Sequence, residues 1–294
     1  MATCMICYPN RADAAVLTDP DGAWSAMPVA NLQTRWLSEY ARTGGLPAYF
    51  DEQGQPYTAR IDVAFDGSRY IVAAALCKHN FSLNATIRLV FWGDAACTVP
   101  LYDSGYQPIW TRYCTWRLCR WGDSNFWGGH ASLDQISAVP PTAILMLPGR
   151  TPARYVTLFI NDPVNPDGYL QAGRLYMAES WIPSTNMTFG ATLGVVDPSN
   201  VDETLSGTEL AEERSKYRQA VFKLPYLGLE EGVNIALGMD LDRGITKDVL
   251  FIWDPANSLL MQMRSFVGRL QELSPLEFPS VGMTGKSYKI KELI

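Results

Sequence analysis

Six cysteines and two histidines are the residue types in this chain best suited to hold a metal or attack a carbonyl, and their placement argues against both. Cys4-x-x-Cys7 and Cys114-x4-Cys119 could together offer four thiolates to zinc, whose ligands commonly come in pairs two to four residues apart. The first pair has no knuckle glycines and no second C-x-x-C behind it, so Cys4, Cys7, Cys77, Cys97, Cys114 and Cys119 read as free thiols acting as small buried hydrophobes. Six cysteines in 294 residues also fall far below the density of a disulfide scaffold. His79 and His130 are few for acid–base chemistry, and neither sits in a His-Glu-x-x-His helix or beside a Gly-x-Ser-x-Gly elbow. His130, after Gly128-Gly129 and before Asp134, reads as a hydrogen-bonded loop histidine. Asp123 and Asp134 would serve a hydrolase only if folded to about 5–10 Å across a cleft, which spacing alone does not fix. Asn161, Asp162, Asn165 and Asp167 offer closely spaced oxygens of the kind calcium takes. Their setting, Asp-Pro followed by Pro-Asp-Gly, is turn chemistry and lacks the glutamate and spacing of an EF-hand. The expectation is a protein without catalytic residues, cofactor or metal.

The residues most suited to recognition lie between Tyr106 and His130. Four of the nine tryptophans, Trp110, Trp116, Trp121 and Trp127, are interleaved there with Arg112, Arg117 and Arg120. Trp, Tyr and Arg dominate interface hot spots, because they bury large area at low rotamer cost and keep a polar handle. Trp110, Trp116, Trp121, Trp127, Arg117 and Arg120 are therefore the candidate interface residues. The same indoles would equally fill a core. Exposed, they would stack on sugar C–H faces, with Asp123, Asn125 or Asp134 accepting hydroxyls.

The elements that must position these residues read as strands. Ala59 to Ala64 alternates, Ile71 to Cys77 is an unbroken apolar run, and Thr86 to Trp92 alternates with Ile87, Leu89 and Phe91 on one face. Ala143 to Leu147 and Tyr155 to Ile160 add further strands, and residues 9–60, rich in Pro, Gly, Asp and Asn, read as loop with short strands. Beyond Tyr176, Val221 to Leu224, Asp248 to Asp254, Ser265 to Leu270 and Tyr288 to Leu293 are strands. Leu229 to Leu237 has helical spacing with Gly238 as its C-terminal cap, and the charged run Thr208 to Gln219 is a solvated hairpin or helix face. The fold class expected is mainly β: an antiparallel β-sandwich followed by a second β-rich domain with one short helix.

Length and charge narrow the partners. At 294 residues the chain has room for two cores. A formal charge of −6 and a pI near 5.0 give no general attraction for nucleic acid or anionic lipid. The longest apolar run, Ile71 to Cys77, is far short of the ~20 residues needed to span a bilayer. The N-terminus has neither the basic nor the long apolar region of a secretory signal, so synthesis in the cytoplasm is expected.

The segment Leu76-Cys-Lys-His-Asn-Phe-Ser-Leu-Asn-Ala-Thr-Ile-Arg-Leu-Val-Phe-Trp92 resembles the central strands of galactose-binding-like sandwiches in tail proteins of tailed bacteriophages, and Ala153 to Tyr176 resembles the closing strands of the same domain. From Gly190-Ala-Thr-Leu-Gly through Val249-Leu-Phe-Ile-Trp-Asp-Pro255, Phe266 to Leu273 and Ser287 to Leu293, the chain is similar to phage distal tail and tail-tip components. The order of these motifs carries the resemblance more than any one of them, and residues 106–142 fit no part of it. The resemblance implies a galactose-binding-like sandwich over residues 1–178, with the aromatic-rich insertion at about 106–142, and a distal-tail-like assembly domain over 179–294. It also implies a non-enzymatic virion structural protein at the tail tip, a ring homo-oligomer, hexameric by that likeness, joining tail tube and hub to the baseplate. The alternative is a carbohydrate-binding module that adheres to host surface glycans.

Overall fold

A computed structural model describes residues 4–111, 121–122, 129, 140–203, 206–207, 209–257 and 260–294. The principal strands are β1 (Met5–Cys7), β2 (Val16–Thr18), β3 (Ala59–Cys77), β4 (Thr86–Trp92), β5 (Pro100–Asp103), β6 (Thr142–Asn161), β7 (Arg174–Ala178), β8 (Ser180–Trp181), β9 (Thr192–Val196), β10 (Tyr217–Gly228), β11 (Asp248–Ile252), β12 (Phe266–Leu270) and β13 (Met283–Glu292). All pair antiparallel, in two sheets of order β7-β3-β6-β4-β5, with β2 added on β3, and β8-β1-β11-β12-β13-β10-β9.

The first sheet is folded over by its own length. The two strands expected over Ala59–Ala64 and Ile71–Cys77 are one strand, β3, and those expected over Ala143–Leu147 and Tyr155–Ile160 are one strand, β6. They pair from Ala59↔Ile160 to Cys77↔Thr142, with register shifts between Met146 and Thr151 and between Ala153 and Tyr155. Bulges add local bend and twist, so the long hairpin curls. One core then takes side chains from both halves: Ile61 and Val63 with Ile71 and Leu76 from β3, and Val156 and Leu158 with Ala143 and Leu145 from β6. Ile87, Leu89 and Phe91 of β4 complete it, as alternation predicts. The opposite face of β4 is buried as well, because Val90 and Trp92 pack with Tyr57 and Phe159 while Arg88 is neutralised by Asp51 and Asp103.

Strand β3 is apolar on both faces near its end because it lies between two cores. Ile71, Ala74 and Leu76 face the sandwich, whereas Val72, Ala75 and Cys77 meet Met5, Cys7, Leu250, Ile252 and Val267 of the second sheet. The N-terminal residues, expected with the first domain, belong to that second sheet: β1 sits between β8 and β11, with Ile6 opposite both Trp181 and Phe251. Cys4, Met5, Ile6 and Cys7 are all buried, and a run apolar on both faces is satisfied only in a sheet interior.

A third core lies under one helix, α1, which is π-helical over Glu231–Leu237 and α-helical over Gly238–Arg243. Gly238 does not cap it. That residue keeps helical angles (φ −58°), and the helix ends at Gly244, whose φ of +55° only glycine adopts readily. Gly232 lets the helix approach β13, since a Cβ there would come within 1.9 Å of Thr284 Oγ1. Lys286, buried in β13, donates to the carbonyl of Ala236 at 3.0 Å and to Asp240, fixing the helix from below. The charged run at 208–219 divides between an exposed hairpin, Asn200–Glu203 with Glu209–Glu212, and the start of β10. No described helix is long and apolar enough to cross a membrane.

Candidate interaction sites

The first sequence-predicted interface residue takes the core role. Trp110 is buried, its indole N–H donates to the Phe81 carbonyl at 3.2 Å, and its ring meets His79 edge-on at 5.3 Å. Trp121 is 81 % exposed. Trp116, Trp127, Arg117 and Arg120 lie outside the described residues, as do Arg112, Cys114, Cys119, Asp123, Asn125, His130 and Asp134.

His79 is not poised for proton transfer. It stacks on Phe81 at 4.5 Å, its Nδ1 accepts the Phe81 N–H at 3.2 Å, and burial pushes its pKa down to about 3. The imidazole is thus neutral, with the proton on Nε2, which has no partner among the described residues. The thiols are equally quiet. Cys4, Cys7 and Cys77 are buried and free, and burial pushes the first and third up to about 12 and the second higher still. A thiol so raised is neither nucleophile nor metal ligand at neutral pH. Three of the four residues considered for calcium, Asp162, Asn165 and Asp167, instead accept hydrogen bonds that tie their turn to residues 80–82 and to itself. Asp162 accepts from Ser82 N at 2.8 Å, Ser82 Oγ at 2.6 Å and Asn165 Nδ2 at 2.9 Å, and Asp167 accepts from Asn80 Nδ2 at 2.8 Å. Among the described residues no group of three or more His, Cys, Asp or Glu could hold a metal.

Two features lie outside the candidate sites expected from the sequence. The first is a groove of about 930 Å³ between the loop 33–39 and the ends of strands β11, β12 and β13 in the second sheet, lined by Arg35, Trp36, Glu39, Arg269 and Lys291 among others. Its wall is built from a buried cation. Arg174 of β7 donates from Nε to Asp248 at 2.6 Å, from Nη2 to Asp13 at 3.0 Å, and from Nη1 to the carbonyls of Gln33 and Thr34 at 3.0 and 2.7 Å. Burial works against this guanidinium, but Asp248 and Asp13 outweigh it and hold its pKa above the ordinary value. The same contacts join the sandwich to the second sheet and pin the loop, which leaves the Trp36 indole 71 % exposed. Asp248 and Glu292 in the groove are neutralised by Arg174 and Arg218. Arg35 and Arg269 donate to the carbonyls of Thr246 and Ile245, and Lys291 rests 4.0 Å over the Tyr217 ring. Among the described residues none of these three cations is in an ion pair, and with Glu39 the one lining carboxylate side chain not neutralised by a buried arginine, the groove is net cationic with an indole wall.

The second is a row of apolar side chains that begins just before α1 and runs along it. Leu229, Val233, Leu237 and Leu241 follow one another at four-residue spacing and are all exposed, whereas Gly232, Ala236 and Met239 turn inward. Residues four apart on a helix share a face. Leu229, Val233 and Leu237 are partly exposed, at 47, 40 and 37 %, and Leu241 is 83 % exposed. The spacing over Leu229 to Leu237 predicts a helix but not which of its faces is covered.

No protein-family model matches the chain, and no curated protein matches it. Among solved structures, the chain is similar to the family 32 CBM from Clostridium perfringens NanJ in complex with galactose, at 10 % identity and a TM-score of 0.34 over 60 % of this chain and 99 % of that one. It is also similar to a fucolectin from striped bass (Morone saxatilis) serum, at 10 % identity and a TM-score of 0.35 over 97 % and 92 % of the two chains. A rhamnosidase from Klebsiella oxytoca with rhamnose bound shares 11 % identity at a TM-score of 0.21, over 60 % of this chain and 32 % of that one. Likeness this slight settles no function.

Proposed function

We propose that this chain is a non-enzymatic structural protein that binds copies of itself, a ring component at the distal end of a phage tail joining the tube to the baseplate. One observation carries the reading: the partly exposed apolar row Leu229, Val233, Leu237 and Leu241, most open at Leu241, on a helix whose other side is packed and pinned. A contiguous exposed apolar face marks a partner surface. The ordered motifs that resemble distal tail components support the choice of partner, and residues 179–294 serve as the assembly domain in this reading. Rings close through head-to-tail contacts between unlike patches of identical subunits. Leu241→Asp tests it: its side chain is mostly solvated, so the monomer stays folded while self-association weakens by roughly tenfold or more. An unchanged mass by light scattering removes the helix row from the interface.

A second reading is favoured by the groove. An exposed indole beside Glu39 and three cations offers a stacking face and hydrogen-bonding groups to an anionic sugar of a host surface glycan. A glycan array probed with wild type and with Trp36→Ala decides it, binding by the first and not the second being the supporting result.

A further inference from the structure

The hairpin Asn200–Glu203 with Glu209–Glu212 stands off the second sheet with every described residue exposed. From Asp197 to Lys216 the chain carries six acidic and two basic residues. Two of the acids are answered locally, Asp197 by Lys216 at 3.4 Å and Glu212 by Arg214 at 3.0 Å. Asp202, Glu203, Glu209 and Glu213 have no ion-pair partner among the described residues. Glu203 and Glu209 are moreover directly opposite in the ladder, on one face with Val201 and Ala211. Like charges in that position destabilise a strand pair. A free-standing ribbon gains nothing from the arrangement, whereas a ribbon that docks against cations does.

The complementary surface is the Trp36 groove, where Arg35, Arg269 and Lys291 form no ion pair among the described residues and outnumber Glu39, the one lining carboxylate side chain not neutralised by a buried arginine, with the exposed Trp36 indole beside them. We propose that the acidic ribbon of one copy seats in the Trp36 groove of the next, with Glu203 and Glu209 meeting Arg269, Lys291 and Arg35, and Val201 meeting Trp36. This rests on the self-assembly reading above and names one of its contacts. Ribbon and groove are unlike patches, so the contact is head-to-tail and propagates around a ring. Opposite charges brought together from exposed positions also steer the encounter and are screened by salt.

The test is the mass of the full chain by light scattering after size exclusion, in ~0.05 M and ~0.5 M NaCl, for wild type and three variants. Glu203→Lys/Glu209→Lys alters only exposed side chains, so its folding is secure, and Arg269→Glu/Lys291→Glu reverses the groove. Each is expected to weaken association by roughly tenfold or more. The chain carrying all four changes is expected to regain it, because ribbon and groove exchange signs together. Wild type that assembles while both reversed variants assemble equally well overturns the ribbon–groove contact and leaves self-assembly standing. Failure of the fourfold chain to recover also overturns the contact. Wild type that stays monomeric in every condition overturns both, and a glycan bound by wild type but not by the groove variant, with assembly unaffected, gives the groove to sugar instead.

Discussion

Replacing Arg174 by methionine removes one cation and leaves a carboxylate with nowhere to put its charge. Arg174 is fully buried and Asp248 is 2 % exposed, so their pair, at 2.6 Å, is shielded from water on both sides. Breaking such a pair by deleting one partner costs about 3–5 kcal/mol, most of it the penalty of the stranded charge. The side chain of Asp13 is about a third exposed and rehydrates, so it adds little. The carbonyls of Gln33 and Thr34 lose donors at 3.0 and 2.7 Å, which costs further and frees the loop. The loss in Arg174→Met is therefore expected at about 3–5 kcal/mol, read as a lower urea midpoint by tryptophan fluorescence. Arg174→Met/Asp248→Leu removes the stranded charge too, and recovers about half or more of the loss, since a buried pair replaced by apolar side chains is often close to neutral. A loss below about 1 kcal/mol in the single variant, or a double variant no better than the single, refutes the reasoning.

Three further outcomes follow from other buried groups. His79 is held neutral down to about 3 when folded but takes a proton near 6.5 when unfolded, so the unfolded state binds more protons below 6.5 and stability falls by about 1.4 kcal/mol per pH unit between those values. The stability difference between wild type and His79→Phe isolates that slope, and parallel pH curves would count against it. Gly232→Ala drives a methyl within 2.8 Å of the Thr284 Cβ and is expected to cost about 1–3 kcal/mol in chemical denaturation, a neutral result meaning that the helix does not press on β13 as closely as described. Iodoacetamide at pH 8 is expected to leave Cys4, Cys7 and Cys77 unmodified in the folded protein and to label them after denaturation, by mass spectrometry of peptides; rapid native labelling of Cys77 contradicts its burial.

Much of the sandwich was legible because its strands obey local rules. Thr86–Trp92 has the bounds that alternation gives it, and the double-sided apolar run Ile71–Cys77 is buried on two faces. What sequence could not supply is which run joins which sheet. Met5–Cys7 is short and apolar throughout, and its place between Trp181 and Phe251 is set by partners more than 170 residues away. The extent of α1 was misread at Gly238, since a glycine within a helix looks like a cap until Gly244 is seen to take the positive φ. The groove escaped notice for a related reason: Arg35 and Trp36, Ile245, Arg269 and Lys291 come from four distant segments. The one local signal was Trp36 itself, a large apolar side chain beside an arginine in a turn-rich stretch without periodicity. The aromatic segment, by contrast, signalled burial and contact equally, and Trp110 went to the core because its N–H finds the Phe81 carbonyl there.

Self-assembly is the central claim, and its most direct measurement is the mass and shape of the purified chain across a range of concentrations, by light scattering after size exclusion with negative-stain images of the same peak. The account predicts a mass that rises to a fixed multiple of 32.7 kDa, closed rings in the images, and dissociation on Leu241→Asp. A mass that stays at 32.7 kDa at every concentration, with no rings, contradicts it.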